Sequence, residues 1–101
     1  ILQIQRKLAT SYSEPIKVSE LAESFNLTER TFFRRFIKST DMKPSEYIQR
    51  LRIQKACDLL EDTTRSFELI ANDVGYEDTS ACRKVFKHII GLTPREFRNR
   101  F

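Results

Sequence analysis

Apolar residues recur three and four positions apart along nearly the whole chain, and no stretch alternates strictly between apolar and polar. That spacing buries one face of a helix, whereas a half-buried strand would repeat every second residue. Breaks in the period predict seven helices, at about 2–11, 19–25, 29–39, 45–60, 67–74, 79–90 and 94–100. Two glycines and three prolines leave little room for anything else, so the expected class is all-α.

The pattern also repeats. Ala22 to Tyr47 recurs as Ala71 to Phe97: Ala22 matches Ala71, Asn26 matches Gly75, Phe36 matches Phe86, Asp41 matches Gly91, Pro44 matches Pro94 and Tyr47 matches Phe97. One extra residue in the second turn keeps the later matches in step. Asn, Asp and Gly tolerate the left-handed conformation that ends a helix, and the pairs Asn26/Gly75 and Asp41/Gly91 draw on them. Proline at a first helical position has no N–H to lose, and Thr93-Pro94-Arg95-Glu96 adds a capping box. Each copy is therefore a short helix, a tight turn and a longer helix, the arrangement whose second helix enters a DNA major groove. A helical repeat module for binding protein would show more copies at shorter periods.

The segment "TFFRRF", Thr31 to Phe36, places three rings beside two cations. At 100° per residue Phe32 and Phe36 share one face, while Arg30, Arg34, Lys38 and Thr31 point away from it. Phe33 and Ile37 lie on the flank. In the second copy Cys82, Val85, Phe86, Ile89 and Ile90 form the apolar face, opposite Ser80, Arg83, Lys84, Lys87 and His88. A solvated charged face would account for either helix alone. Cations opposite the core in both copies, each after a turn signal, favour a contact surface.

Charge sharpens this expectation. The formal net charge is +4, which suits a polyanionic partner only weakly. Its distribution says more: basic residues dominate from Glu29 to Asp58 and again from Arg83 onward, and the stretch from Asp58 to Asp78 is acidic apart from Arg65. Two basic blocks suggest two contact surfaces.

At this point a family resemblance becomes specific. "IANDVGYEDTSACRKVFKHIIGLTPREFR" resembles the signature region of AraC/XylS-type transcriptional regulators, and "LAESFNLTERTFFRRF" with "MKPSEYIQRLRIQKACDLL" resembles the first half of the same domain. The resemblance covers essentially the whole chain. It implies two helix-turn-helix subdomains, about 18–40 and 66–90, joined by a linker helix at about 45–60. It also implies sequence-specific binding of double-stranded DNA and regulation of transcription, with activation the expected sign, in a bacterial cytoplasm at the nucleoid. The family's base-reading positions fall on Arg30, Thr31, Phe33 and Arg34 in the first copy, and on Thr79, Ser80, Arg83 and Lys84 in the second. Lys38 and Lys87, further along each helix, are better placed for backbone phosphate. Two residues depart from the family pattern. Cys82 stands where a bulky apolar residue is usual, and Phe33 occupies a flank that is usually polar. Phe33 could meet a thymine methyl group or pack against Ile37.

Other chemistry finds little support. His88, the sole histidine, lies among cations on an outer face, and neither a Gly-rich phosphate loop nor a paired-carboxylate motif appears, so an enzyme is not expected, nor a cofactor or metal. Cys57 and Cys82 sit at apolar helical positions without metal-ligand spacing, which reads as buried free thiols. No apolar run approaches the ~18 residues of a membrane span. The acidic stretch is a candidate docking surface for RNA polymerase, and a helical protein-interaction module without DNA binding is the rival reading. The chain opens at Ile1 inside a helical pattern, which suggests a piece of a longer regulator with an N-terminal effector or dimerisation domain. "TERTFFRRF" with "QRLRIQKACDLLE" is most similar to regulators in which that domain has a DJ-1/PfpI-like fold.

Overall fold

The computed structural model describes residues 1–100. Among them are seven α-helices: α1 Leu2–Ser11, α2 Val18–Ser24, α3 Glu29–Thr40, α4 Pro44–Asp62, α5 Phe67–Asp73, α6 Thr79–Ile90 and α7 Pro94–Arg100. The all-α expectation holds, with boundaries within two residues of those read from periodicity. No helix among the described residues is long and apolar enough to cross a membrane.

The chain divides into two compact units, Ile1–Ile48 and Gln49–Phe101, and the division falls inside α4. In the first unit Ile4 and Leu8 of α1, Leu21 and Ala22 of α2, and Phe32 and Phe36 of α3 are buried with Ile48. Phe36 packs edge-on against Tyr47 at 5.3 Å and tilts against Phe32 at 5.6 Å. In the second unit Ile53, Ala56, Leu60, Ile70, Ala71, Val74, Cys82, Phe86 and Phe97 form the core. There Phe86 is the hub, edge-on to Phe67 at 6.0 Å and to Phe97 at 5.7 Å. Fully burying each such ring stabilises its unit by about 1.5–3 kcal/mol, and the edge-to-face geometry adds to that.

The turns show why the repeat uses the residues it does. Asn26 (φ 56°) and Gly75 (φ 108°) are left-handed, as are Asp41 (φ 63°) and Gly91 (φ 83°). At the first turn the Leu27 N–H donates to Ala22 C=O (3.0 Å) and the Asn26 N–H to Glu23 C=O (2.9 Å). At the second, the Tyr76 N–H donates to Ala71 C=O (2.9 Å) and the Gly75 N–H to Asn72 C=O (3.1 Å). Both are Schellman closures, with the same pair of bonds in the same register. Leu27 then leads directly to the Thr28 cap of α3, whereas Glu77 separates Tyr76 from the Asp78 cap of α6. Glu77 is the extra residue of the second copy.

Helices α3 and α6 are capped at both ends. The Thr28 hydroxyl accepts from the Thr31 N–H (3.2 Å), and Asp78 Oδ1 accepts from the Ser80 N–H (2.9 Å). At the far ends Asp41 and Gly91 return their N–H groups to Ile37 and Lys87 carbonyls. Thr93 and Glu96 close the expected capping box, with Glu96 Oε1 accepting from the Thr93 N–H (3.0 Å) and Thr93 Oγ1 from the Glu96 N–H (3.1 Å). Those bonds hold the Glu96 carboxyl below its usual pKa.

Helix α4 begins at Pro44 and runs to Asp62, longer than its apolar period suggested; 19 residues span roughly 28 Å. Its extension has a tertiary cause. Arg98 of α7 donates from Nε to the Leu60 carbonyl (3.2 Å) and from Nη2 to the Thr63 carbonyl (3.1 Å). The Thr63 hydroxyl donates to Leu59 C=O (2.6 Å). A guanidinium fork thus satisfies carbonyls at a helix end that would otherwise turn to water.

Candidate nucleic-acid interface

Helix α3 is pinned to its unit by Phe32 and Phe36, both 0% exposed, so the rest of its circumference is fixed by geometry. Arg30, Arg34 and Lys38 are exposed on the side away from these rings, as the wheel predicts. Phe33 is exposed beside them, and Ile37 is half-buried. Thr31 is the exception among the expected reading residues. Its N–H serves the Thr28 cap, and its Oγ1 accepts a hydrogen bond from the Thr28 hydroxyl (2.9 Å), so much of its bonding capacity is used locally. Arg35 is also exposed.

Helix α6 is anchored in the same way by Cys82 and Phe86, each 0% exposed. Ser80, Arg83, Lys84 and Lys87 are exposed, and Thr79 is half-buried. The guanidinium of Arg83 lies 5.6 Å from the Phe67 ring, which supports the side chain on an aromatic face. Ser80, Arg83, Lys84, Lys87 and His88 meet Thr93 around an open concavity of about 470 Å³. His88 lies on this face as the wheel places it, whereas Thr93 is a member that the wheel of α6 could not show. Thr93 comes from the next turn, and only the fold brings it to α6.

Cysteine in place of a bulky residue at position 82 leaves the α6 anchor fully buried. Burial pushes its thiol up to about 11, against the lowering pull of Arg83 and Arg52. Cys57 is only half-buried, a correction to the expectation of two buried thiols. Its thiol is likewise raised to about 11, first by burial and then by Asp58 and Glu61. Neither thiol is a nucleophile at neutral pH.

Each unit therefore presents one rigid, end-capped helix whose outer face carries planar or point cations and hydroxyls. A helix of this kind fits a major groove about 12 Å wide, where an arginine fork can give two hydrogen bonds to guanine O6 and N7. A helix-turn-helix domain family model matches residues 21–100, four-fifths of the chain. The chain belongs to the AraC-type helix-turn-helix family. This AraC-type chain is 32% identical over 96 residues to the Msm operon regulatory protein of Streptococcus mutans, covering 95% of this chain and 34% of that protein. It is 34% identical to the transcriptional activator RhaS of Mannheimia succiniciproducens, covering 95% of this chain and 36% of RhaS. The chain thus spans about a third of the length of these curated relatives. Among solved structures, the DNA-binding domain of AdpA, determined in complex with a target DNA, superposes with a TM-score of 0.93 at 26% identity, covering 98% of this chain and 89% of that one. The AraC-type chain is a DNA-binding transcription-regulator domain.

Proposed function

We propose that α3 and α6 are the recognition helices of this regulator, each lying in a major groove with its outer face against the base edges. Arg30 and Arg34, one turn apart on α3, are the guanine-reading candidates of the first unit. Arg83 and Lys84 of α6, with the hydroxyls of Ser80 and Thr79, are those of the second. Thr31 contributes less than the other positions because its hydroxyl is engaged with Thr28. Lys38 and Lys87 take backbone phosphates. The single observation that carries this reading is the repetition itself: two buried-aromatic anchors, two Schellman turns and two cationic outer faces in the same register.

Activation of transcription and a place at the nucleoid belong to the same proposal, supported by the activator relatives. The acidic stretch is offered as a surface for RNA polymerase. Asp58, Glu61, Asp62, Glu68, Asp73, Glu77 and Asp78 are all exposed, and its only cation, Arg65, is paired with Asp73 (2.6 Å). Effector binding and dimerisation are assigned to a further domain, in keeping with the greater length of the relatives.

The test is binding to a random-sequence duplex at low salt, followed up to physiological salt. Six to ten phosphate contacts should cost on the order of 10³ to 10⁵ in affinity between 50 and 200 mM salt. No binding at 50 mM would favour a protein-interaction module instead.

A further inference from the structure

Phe33 is the residue of the α3 outer face that attraction to a polyanion does not explain. Phe32 and Phe36 are sealed at 0% exposed, whereas Phe33 leaves 39% of its surface open. Among the described residues, the ring contacts of α3 are those of Phe32 and Phe36, with each other and with Tyr47; Phe33 has none. It lies three residues after Arg30, and Arg34 lies four after Arg30, so Arg30 has the ring as its neighbour on one side and Arg34 on the other. Half-buried Ile37 follows one turn later and extends an apolar ledge along the cationic face.

With α3 in a major groove, this ledge is held against base edges. Facing a phosphate, an amino group or a ring nitrogen, an apolar ring desolvates a polar group and returns no hydrogen bond. Thymine is the base whose major-groove edge carries an apolar group, the C5 methyl. The second repeat has the opposite chemistry at the matching position. Arg83 stands where Phe33 does, and its guanidinium is braced by the Phe67 ring at 5.6 Å. The two copies therefore share a fold and differ in what this position can read.

We propose that Phe33 selects a thymine through its C5 methyl group in the half of the DNA site contacted by α3, and that the half contacted by α6 carries no such requirement at the matching step. The inference rests on the placement of α3 in the major groove proposed above.

Deoxyuridine provides the probe, because it differs from thymidine only in lacking the C5 methyl. A duplex selected from a random library by the wild-type chain is remade with each thymine replaced in turn. At one thymine, uracil should weaken wild-type binding about three- to fivefold, the worth of one buried methyl group. The Phe33→Ala chain should bind the thymine and uracil duplexes equally well. Because Phe33 is exposed, this variant should keep the wild-type helical signal and melting point, and the uracil scan of the wild-type chain needs no variant at all. Indifference of the wild-type chain to every replacement overturns the inference, as does a uracil penalty that survives in Phe33→Ala. A chain that selects no duplex even at low salt defeats the DNA-binding reading itself. One that selects a site but shows no Phe33-dependent penalty defeats this inference alone.

Discussion

Replacing Arg98 with alanine should separate a structural cation from the DNA-binding ones around it. Arg98 lies in the basic C-terminal block, where charge pattern alone would assign it to phosphate. Its fork instead bonds the Leu60 and Thr63 carbonyls at 3.2 and 3.1 Å, which closes the end of α4. Hydrogen bonds from a charged donor are worth ~1.5–3 kcal/mol when well buried, and Arg98 is half-exposed, so a net loss of about 1–2 kcal/mol is expected. For a domain of this size each kcal/mol moves the melting temperature by about 4–8 °C, which gives a fall of roughly 5–15 °C. Arg98→Lys keeps the charge but offers a point donor, so it should recover only part of the loss. The assay pairs thermal melting with a salt titration of DNA binding. Arg98→Ala should melt early and keep the wild-type salt slope, whereas Lys87→Ala should melt normally and lose about 0.9 from the slope. An Arg98→Ala chain of unchanged melting temperature and lowered slope would refute this assignment and make Arg98 a phosphate ligand.

Two further outcomes follow from the titratable groups. The Glu96 carboxyl is depressed by its bonds to Thr93, so the stability it lends α7 is present above the usual carboxylate pKa and is lost as pH falls through the depressed value. Glu96→Gln should remove that acid-side dependence in a pH series of melting curves. Cys57 and Cys82, both raised to about 11 from 9.0, should be alkylated at pH 8 about a hundredfold more slowly than in the urea-unfolded chain, as judged by mass spectrometry. Equal rates in the two states would show that the thiols are not shielded.

Local rules carried most of the fold. Asn26, Asp41, Gly75 and Gly91 could be placed at helix ends because few residues accept positive φ, and all four do so. Phe32, Phe36 and Phe86 could be placed in the core because helical period fixes which residues share a face. What escaped the sequence depends on partners far along the chain. Polar Glu61 and Asp62 end the apolar period of α4, yet the helix continues through them because Arg98, 38 residues beyond Leu60, holds its last carbonyls. The stacking of Arg83 on Phe67 and of Arg52 over Tyr76 at 5.4 Å is equally nonlocal. On the candidate interface, exposure of Arg30, Arg34, Arg83 and Lys84 was legible from the wheel. The engagement of Thr31 with its own cap was not, since a wheel shows direction and not which hydroxyl is already bonded.

Whether α3 reads base edges is tested most directly by site selection with the wild-type, Arg34→Ala and Lys87→Ala chains. Arg34 is exposed opposite the buried Phe32 and Phe36, one turn after Arg30. Its loss should cost ~1–3 kcal/mol on the selected site and relax the preference at one base pair. Lys87 lies near the C-terminal end of α6, so its loss should weaken selected and random duplexes alike and leave the preferred sequence intact. An Arg34→Ala chain that keeps the wild-type preference, beside a Lys87→Ala chain that changes it, would contradict the placement of both helices.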